Sequence, residues 1–125
     1  MAEPVMVMKE WGHEEWIHND SKYCGKLLVF EKKNNRFSMH FHMKKHETWY
    51  VEEGSFVFNR ILVNQKNGGM ATSILYPGAV VEIPPGLPHQ LIALKDQSII
   101  FEVSTEHFED DSYRIFRESP DELLS

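Results

Sequence analysis

The residues most able to do chemistry crowd into "MHFHMKKHETWYVEEG", Met39 to Gly54, which holds three of the chain's seven histidines and Glu47 ahead of an apolar run. On a strand, alternate residues face one side with α-carbons roughly 6.5–7 Å apart, so His40 and His42 can aim both imidazoles at one point. Glu47 shares parity with Trp49 and Val51, and a hairpin through the polar reversal "MKKH" is expected to bring it alongside the histidines. Far downstream, His89 follows "IPPGLP", whose prolines and glycine fix a tight turn, and leads the run "HQLIAL". Three imidazoles and one carboxylate make a mixed nitrogen and oxygen set for one divalent transition metal, Zn, Mn, Fe or Ni, with positions left for water or substrate. A metal would also compensate the cost of a carboxylate facing an apolar interior. The competing arrangement puts the two histidines on an exposed face with Phe41 inward and Glu47 as a solvated turn residue, because short motifs often match by accident.

These side chains must be carried by strands. Between Lys26 and Val103 the chain reads as short apolar runs rich in β-branched and aromatic residues: "GKLLVFE", "RFSMHFH", "ETWYVEEG", "SFVFNRILV", "MATSILY", "AVVEIP", "HQLIAL" and "SIIFEVS". Turn signals such as "KKNN", "NQKNGG", "YPG" and "PPGLP" separate them. Sustained helical periodicity is missing. An all-β domain follows, and this many strands favour a closed barrel or double-sheet jelly roll, in which closure protects strand edges. The expected division is one domain over 1–125, with an N-terminal arm over 1–22, a barrel core over 23–104 and a C-terminal extension over 105–125. In that extension Ser119 and Pro120 are placed to start a short helix, with Asp121 and Glu122 near its positive end.

At 125 residues the chain supports one core. A formal charge of -6 opposes a nucleic-acid footprint, which needs clustered basic residues. The single cysteine, Cys24, excludes an internal disulfide framework and a four-cysteine zinc site. No basic start leads into a long apolar stretch, and no run approaches membrane-spanning length. The expected setting is cytoplasmic, with neither membrane nor nucleic acid as a partner.

The residues also fall into two motifs that resemble the cupin family. His40, His42, Glu47 and Gly54 stand as H-x-H, four residues, E, six residues, G; Gly78, Pro84, Gly86 and His89 stand as G, five residues, P-x-G, two residues, H. The resemblance implies a small β-barrel with His40, His42, Glu47 and His89 as metal ligands. Two positions depart from the pattern: Asn34 replaces a glycine six residues before His40, and Ala93 replaces a closing asparagine. Asn tolerates the left-handed backbone that a turn glycine adopts.

Further segments, among them "EWG", "YCGKLLVF", "IPPGLPHQLIAL" and "FEVSTEHFEDDSYRIF", are similar to the cupin domain of type II mannose-6-phosphate isomerases over most of residues 9–116. Met39, Phe41, Met43 and Lys44 depart from that family's usual residues around the first motif. The resemblance implies aldose–ketose isomerisation of a phosphorylated sugar, with His46 or Glu102 as the group that moves a proton and with Lys26, Lys44 and Arg114 as phosphate contacts. Other cupins bind sugars without turnover, or act as Fe(II) oxygenases or lyases on small acids, so those functions stay open. His13, His18 and His107 lack comparable spacing and default to surface or packing roles. Alternation places Phe37, Met39 and Phe41 opposite the histidines, an apolar face expected to be covered in a homodimer.

Overall fold

The computed structural model describes residues 1–62 and 69–116, and the expected terminal helix at Ser119 to Glu122 lies outside them. Eleven strands occur among the described residues: β1 (Val5–Lys9), β2 (Gly12–Asn19), β3 (Cys24–Phe30), β4 (Met39–Phe41), β5 (Glu47–Glu53), β6 (Phe56–Ile61), β7 (Met70–Leu75), β8 (Val80–Ile83), β9 (His89–Ala93), β10 (Ser98–Ser104) and β11 (Tyr113–Phe116). All pairings are antiparallel. They form a six-stranded sheet in the order β1-β2-β3-β10-β5-β8 and a five-stranded sheet in the order β11-β4-β9-β6-β7. The fold is an all-β double-sheet jelly roll. No helix of the described residues is long and apolar enough to cross a membrane.

The core lies between the sheets, where Leu28, Phe30, Trp49, Val51, Phe56, Phe58, Leu91 and Ile100 are buried. Each such side chain contributes about 2–3 kcal/mol of burial. Aromatic rings interlock there: Trp11 stacks on Phe30 at 4.6 Å and Phe30 meets Phe56 edge-on at 5.0 Å. Residues 1–22, expected as an arm, contain β1 and β2, and β2 pairs with β3 along the larger sheet.

Two local features depart from simple alternation. Phe37 faces the core, meeting His40 edge-on at 5.0 Å, because regular pairing in β4 begins only at Met39. The segment before it makes one isolated bridge, Arg36 to Ile92, so the parity counted from β4 does not reach back to Phe37. Met39 is fully buried, and Phe41 stacks on Tyr113 of β11 at 5.2 Å, so this chain's own β11 shields part of the face assigned to a partner. The second departure concerns Glu47. The turn after β4 crosses to the other sheet instead of closing a hairpin, because β4 pairs with β9 and β11 whereas β5 pairs with β8 and β10.

The substituted motif positions fit their places. Asn34 has φ 75, the left-handed conformation that asparagine tolerates. Ala93 is fully buried in the core, and its backbone bonds Asn34 and Asn35.

Candidate metal centre

His40 and His89 are direct cross-strand partners on β4 and β9, with ring centroids 4.5 Å apart. The turn that delivers His89 has Pro85 and Gly86 at its centre, the glycine at φ 81, and Leu87 N–H donates to Pro84 O at 3.3 Å. A type II turn requires that positive φ. Gly86 N–H also donates to His42 O at 2.6 Å, tying the two motifs together. His42 follows the end of β4 and begins the crossing turn, while Glu47 starts β5 on the opposite sheet. One ring nitrogen from each of His40, His42 and His89 lies within 4.8 Å of the others.

Hydrogen bonds settle which nitrogens are free. His40 Nδ1 donates to Ser38 O at 2.7 Å, His42 Nδ1 to Asp111 O at 2.7 Å and His89 Nδ1 to Leu87 O at 2.8 Å. A carbonyl only accepts, so each Nδ1 carries the proton and each neutral ring keeps its Nε2 lone pair bare. Glu47 is aimed in the same way: Trp49 Nε1–H donates to its Oε1 at 2.9 Å, leaving Oε2 buried without a hydrogen-bond partner. That oxygen lies 3.3 Å from His42 Nε2 and 3.7 Å from His89 Nε2. Lone pairs converging in a buried space are compensated by a cation, and ligating histidines normally donate their other N–H in this manner. The residues present therefore fit a divalent transition metal.

Electrostatics point the same way. Burial and the neighbouring His89 push His40 down to about 3, so its ring is neutral at ordinary pH. Burial likewise lowers His89. For Glu47, burial alone would raise the pKa, but the ammonium of Lys45, Nζ at 3.9 Å, holds it well below the usual carboxylate range.

This candidate site opens into a cavity of about 420 Å³ between the sheets. Its larger-sheet wall carries the cross-strand row Lys26, Glu102 and Trp49, with Glu14 beside Lys26. Lys26 is buried, 3.1 Å from Glu14 and with its ammonium 4.5 Å from the centre of the Trp16 ring. Glu102 is buried with Lys45 Nζ 2.6 Å from its Oε2. Burial, and then the negative charge of Glu47, push Glu102 up to about 7, with Lys45 pulling the other way. Arg114 is exposed at the rim, paired across β11 and β4 with His40.

Of the residues singled out by sequence, the structure thus gathers His40, His42, His89, Glu47, Glu102, Lys26 and Arg114 around one cavity. It does not bring His46 or Lys44 there. His46 is exposed, 3.4 Å from Glu82, and Lys44 is exposed with its ammonium 4.9 Å from the Phe108 ring centre. Among the cavity residues that carried no sequence signal are Glu14, Lys45 and His107. Lys45 is buried between two carboxylates that hold its pKa above the usual lysine value despite burial. His107 has Nδ1 3.3 Å from Lys45 Nζ, so Nδ1 must accept and Nε2 carries its proton. Burial and the lysine charges lower it to about 3.

A family model described as Cupin matches residues 4–119. The chain belongs to the cupin family. No curated protein matches it. Among solved structures, the chain resembles the capsular polysaccharide assembling protein CapF from Staphylococcus aureus, with TM-score 0.77, 20% identity and coverage of 93% of this chain but 33% of that one. It also resembles oxalate decarboxylase from Bacillus subtilis (TM-score 0.76, 16% identity, 97% of this chain and 33% of that one). A further likeness is KdgF from Halomonas sp. (TM-score 0.66, 17% identity, 78% and 81%). This cupin spans about a third of CapF and of oxalate decarboxylase, and at these identities the likeness is one of fold.

Proposed function

We propose that this cupin binds one divalent transition metal through His40, His42, Glu47 and His89 and isomerises a small phosphorylated sugar between aldose and ketose. The carrying observation is that a buried carboxylate with an acid/base pKa, Glu102, shares one cavity with the converging imidazoles and with the rim cation Arg114. A bound metal supplies Lewis-acid polarisation of a carbonyl or hydroxyl oxygen. Glu102 in its carboxylate form takes the proton from C2 of the aldose and returns it to C1, while the O2 hydroxyl proton passes to O1, with Lys45 holding the carboxyl in place. Arg114 grips the phosphate bidentately at the open end. Lys26, already neutralised by Glu14, lines the inner wall beside Trp16, where it faces sugar hydroxyls and excludes water.

The test is deuterium entry at C2 when metal-loaded protein meets mannose 6-phosphate and related sugar phosphates in heavy water. Exchange is expected in the native chain and lost in Glu102→Gln; no exchange with any of them sinks the reaction. A sugar-binding role without turnover is favoured by one observation: Glu102 Oε2 is already engaged by Lys45 and by Ser104 Oγ, at 2.6 and 3.2 Å. Calorimetric binding without exchange would select it.

A homodimer is part of the same proposal, on a different face from that expected from sequence. Leu27, Phe101, Tyr50 and Val80 are successive cross-strand neighbours on the outer side of the larger sheet, with Tyr50 and Val80 exposed. Sedimentation at the 14.7 kDa of one chain would overturn it.

A further inference from the structure

Of the three histidines, His42 alone lies outside a strand. His40 and His89 are fixed by their cross-strand pair, and each Nδ1 bonds a carbonyl two residues earlier in its own segment. His42 is where β4 ends and the chain crosses between sheets, so no ladder holds it and the next N–H groups lose their strand partners. Its ring is oriented instead by a carbonyl 69 residues away, that of Asp111.

Asp111 is 2% exposed and lies on the connection between β10 and β11. Its carboxylate collects the N–H groups of the crossing turn: Oδ1 accepts from Met43 at 2.9 Å and from Lys44 at 3.2 Å, and Oδ2 accepts from Lys44 at 3.2 Å and from Lys45 at 3.1 Å. Successive backbone N–H groups converging on one anion make a strong, charge-assisted anchor. The other end of the connection is stitched as well. Thr105 N–H donates to His46 O and His46 N–H donates to Thr105 Oγ1, both at 3.0 Å. Asn19 of β2 brackets His107, accepting its N–H at 2.9 Å and donating to its carbonyl at 3.1 Å. The connection over residues 105–112 is therefore a strap fastened to both ends of the turn that carries His42, Lys45 and the approach to Glu47.

We propose that Asp111 is a positioning residue for the metal: its carboxylate fixes the turn after His42, and its carbonyl fixes the His42 ring with Nε2 toward His40 and His89. The two contacts are coupled, because the carboxylate that grips residues 43–45 holds the backbone whose carbonyl meets the ring. The inference rests on the metal reading of the histidines.

The test uses the full chain stripped of metal, in native form and as Asp111→Ala and Asp111→Asn, titrated with Co(II) and followed by its visible absorption and by chelator competition. Partners that orient metal ligands are worth about 10–100-fold in affinity, so Asp111→Ala is expected to weaken Co(II) by that factor and to change its spectrum. Asp111→Asn, which keeps one accepting oxygen, falls between. A folded Asp111→Ala protein with native Co(II) affinity and spectrum overturns the proposal. Imidazole nitrogen NMR of the metal-free native chain decides it without any variant: the proton of His42 is expected on Nδ1, and a proton on Nε2 overturns it. Failure of the native chain to take up Co(II) counts against the metal reading, and the nitrogen spectrum still decides whether Asp111 orients His42.

Discussion

Glu47 Oε2 concentrates the residue-scale case for a metal, since a buried carboxylate oxygen left without a partner costs about 1–3 kcal/mol or more. His42 Nε2 does not relieve it, because the proton of that ring is committed to Asp111. Glu47→Gln keeps the shape but replaces a charged ligand atom with a neutral one. Zinc affinity is expected to fall at least about 10-fold, read by competition with a chromogenic chelator, and an unchanged affinity would remove Glu47 from the ligand set. Glu102 gives a pH-dependent counterpart. Its folded pKa is raised to about 7 from an ordinary 4.5, so the folded state holds a proton that the unfolded chain has released. The stabilising contribution is full below about 4.5 and is lost as pH rises through about 7. In metal-free protein, the native chain should lose stability relative to Glu102→Gln across that window, with a slope of at most about 1.4 kcal/mol per pH unit. Parallel stability curves for the two proteins would show that Glu102 does not titrate there.

At the scale of elements, all eight runs marked by apolar alternation between turn signals contain strands, β3 to β10, because each places one face on the core or, for β4, His40 on the cavity between the sheets. β2 escaped for the opposite reason. In "GHEEWIHN" Glu14 faces a polar cavity, so charged residues stand on both sides and no hydrophobic period survives. The convergence of His40, His42 and His89 was legible because H-x-H and the proline-glycine turn are local patterns. Lys45, His107 and Asp111 were not, because each acquires its role only when a strap more than sixty residues downstream folds against the crossing turn. The concealed strand makes its own prediction. Lys26→Met leaves Glu14 facing the cavity without its partner and should cost about 3 kcal/mol in urea unfolding. Adding Glu14→Gln to it removes the uncompensated charge and should recover most of that loss. If the double variant is no more stable than the single one, the pair is not what burial makes costly.

Across the whole molecule the site is a junction between layers. His40 and His89 belong to the five-stranded sheet, Glu47 to the six-stranded sheet, and His42 to the turn that passes between them. A metal held by all four joins the two sheets at the open end of the sandwich, while the aromatic core around Phe30, Phe56 and Phe58 closes the rest. Because the unfolded chain cannot present this set together, binding adds directly to folding stability, by about 2.7 kcal/mol at a free metal concentration of 100 times Kd. For a domain of this length that corresponds to roughly 10 °C in Tm. Native protein with added zinc should therefore melt about 10 °C above the chelated form, and the gap should widen with zinc concentration. His42→Ala should abolish the dependence while the chelated forms melt close together. A native Tm indifferent to both zinc and chelator would mean that the converging nitrogens do not hold a metal, and that the two sheets are joined by their apolar core alone.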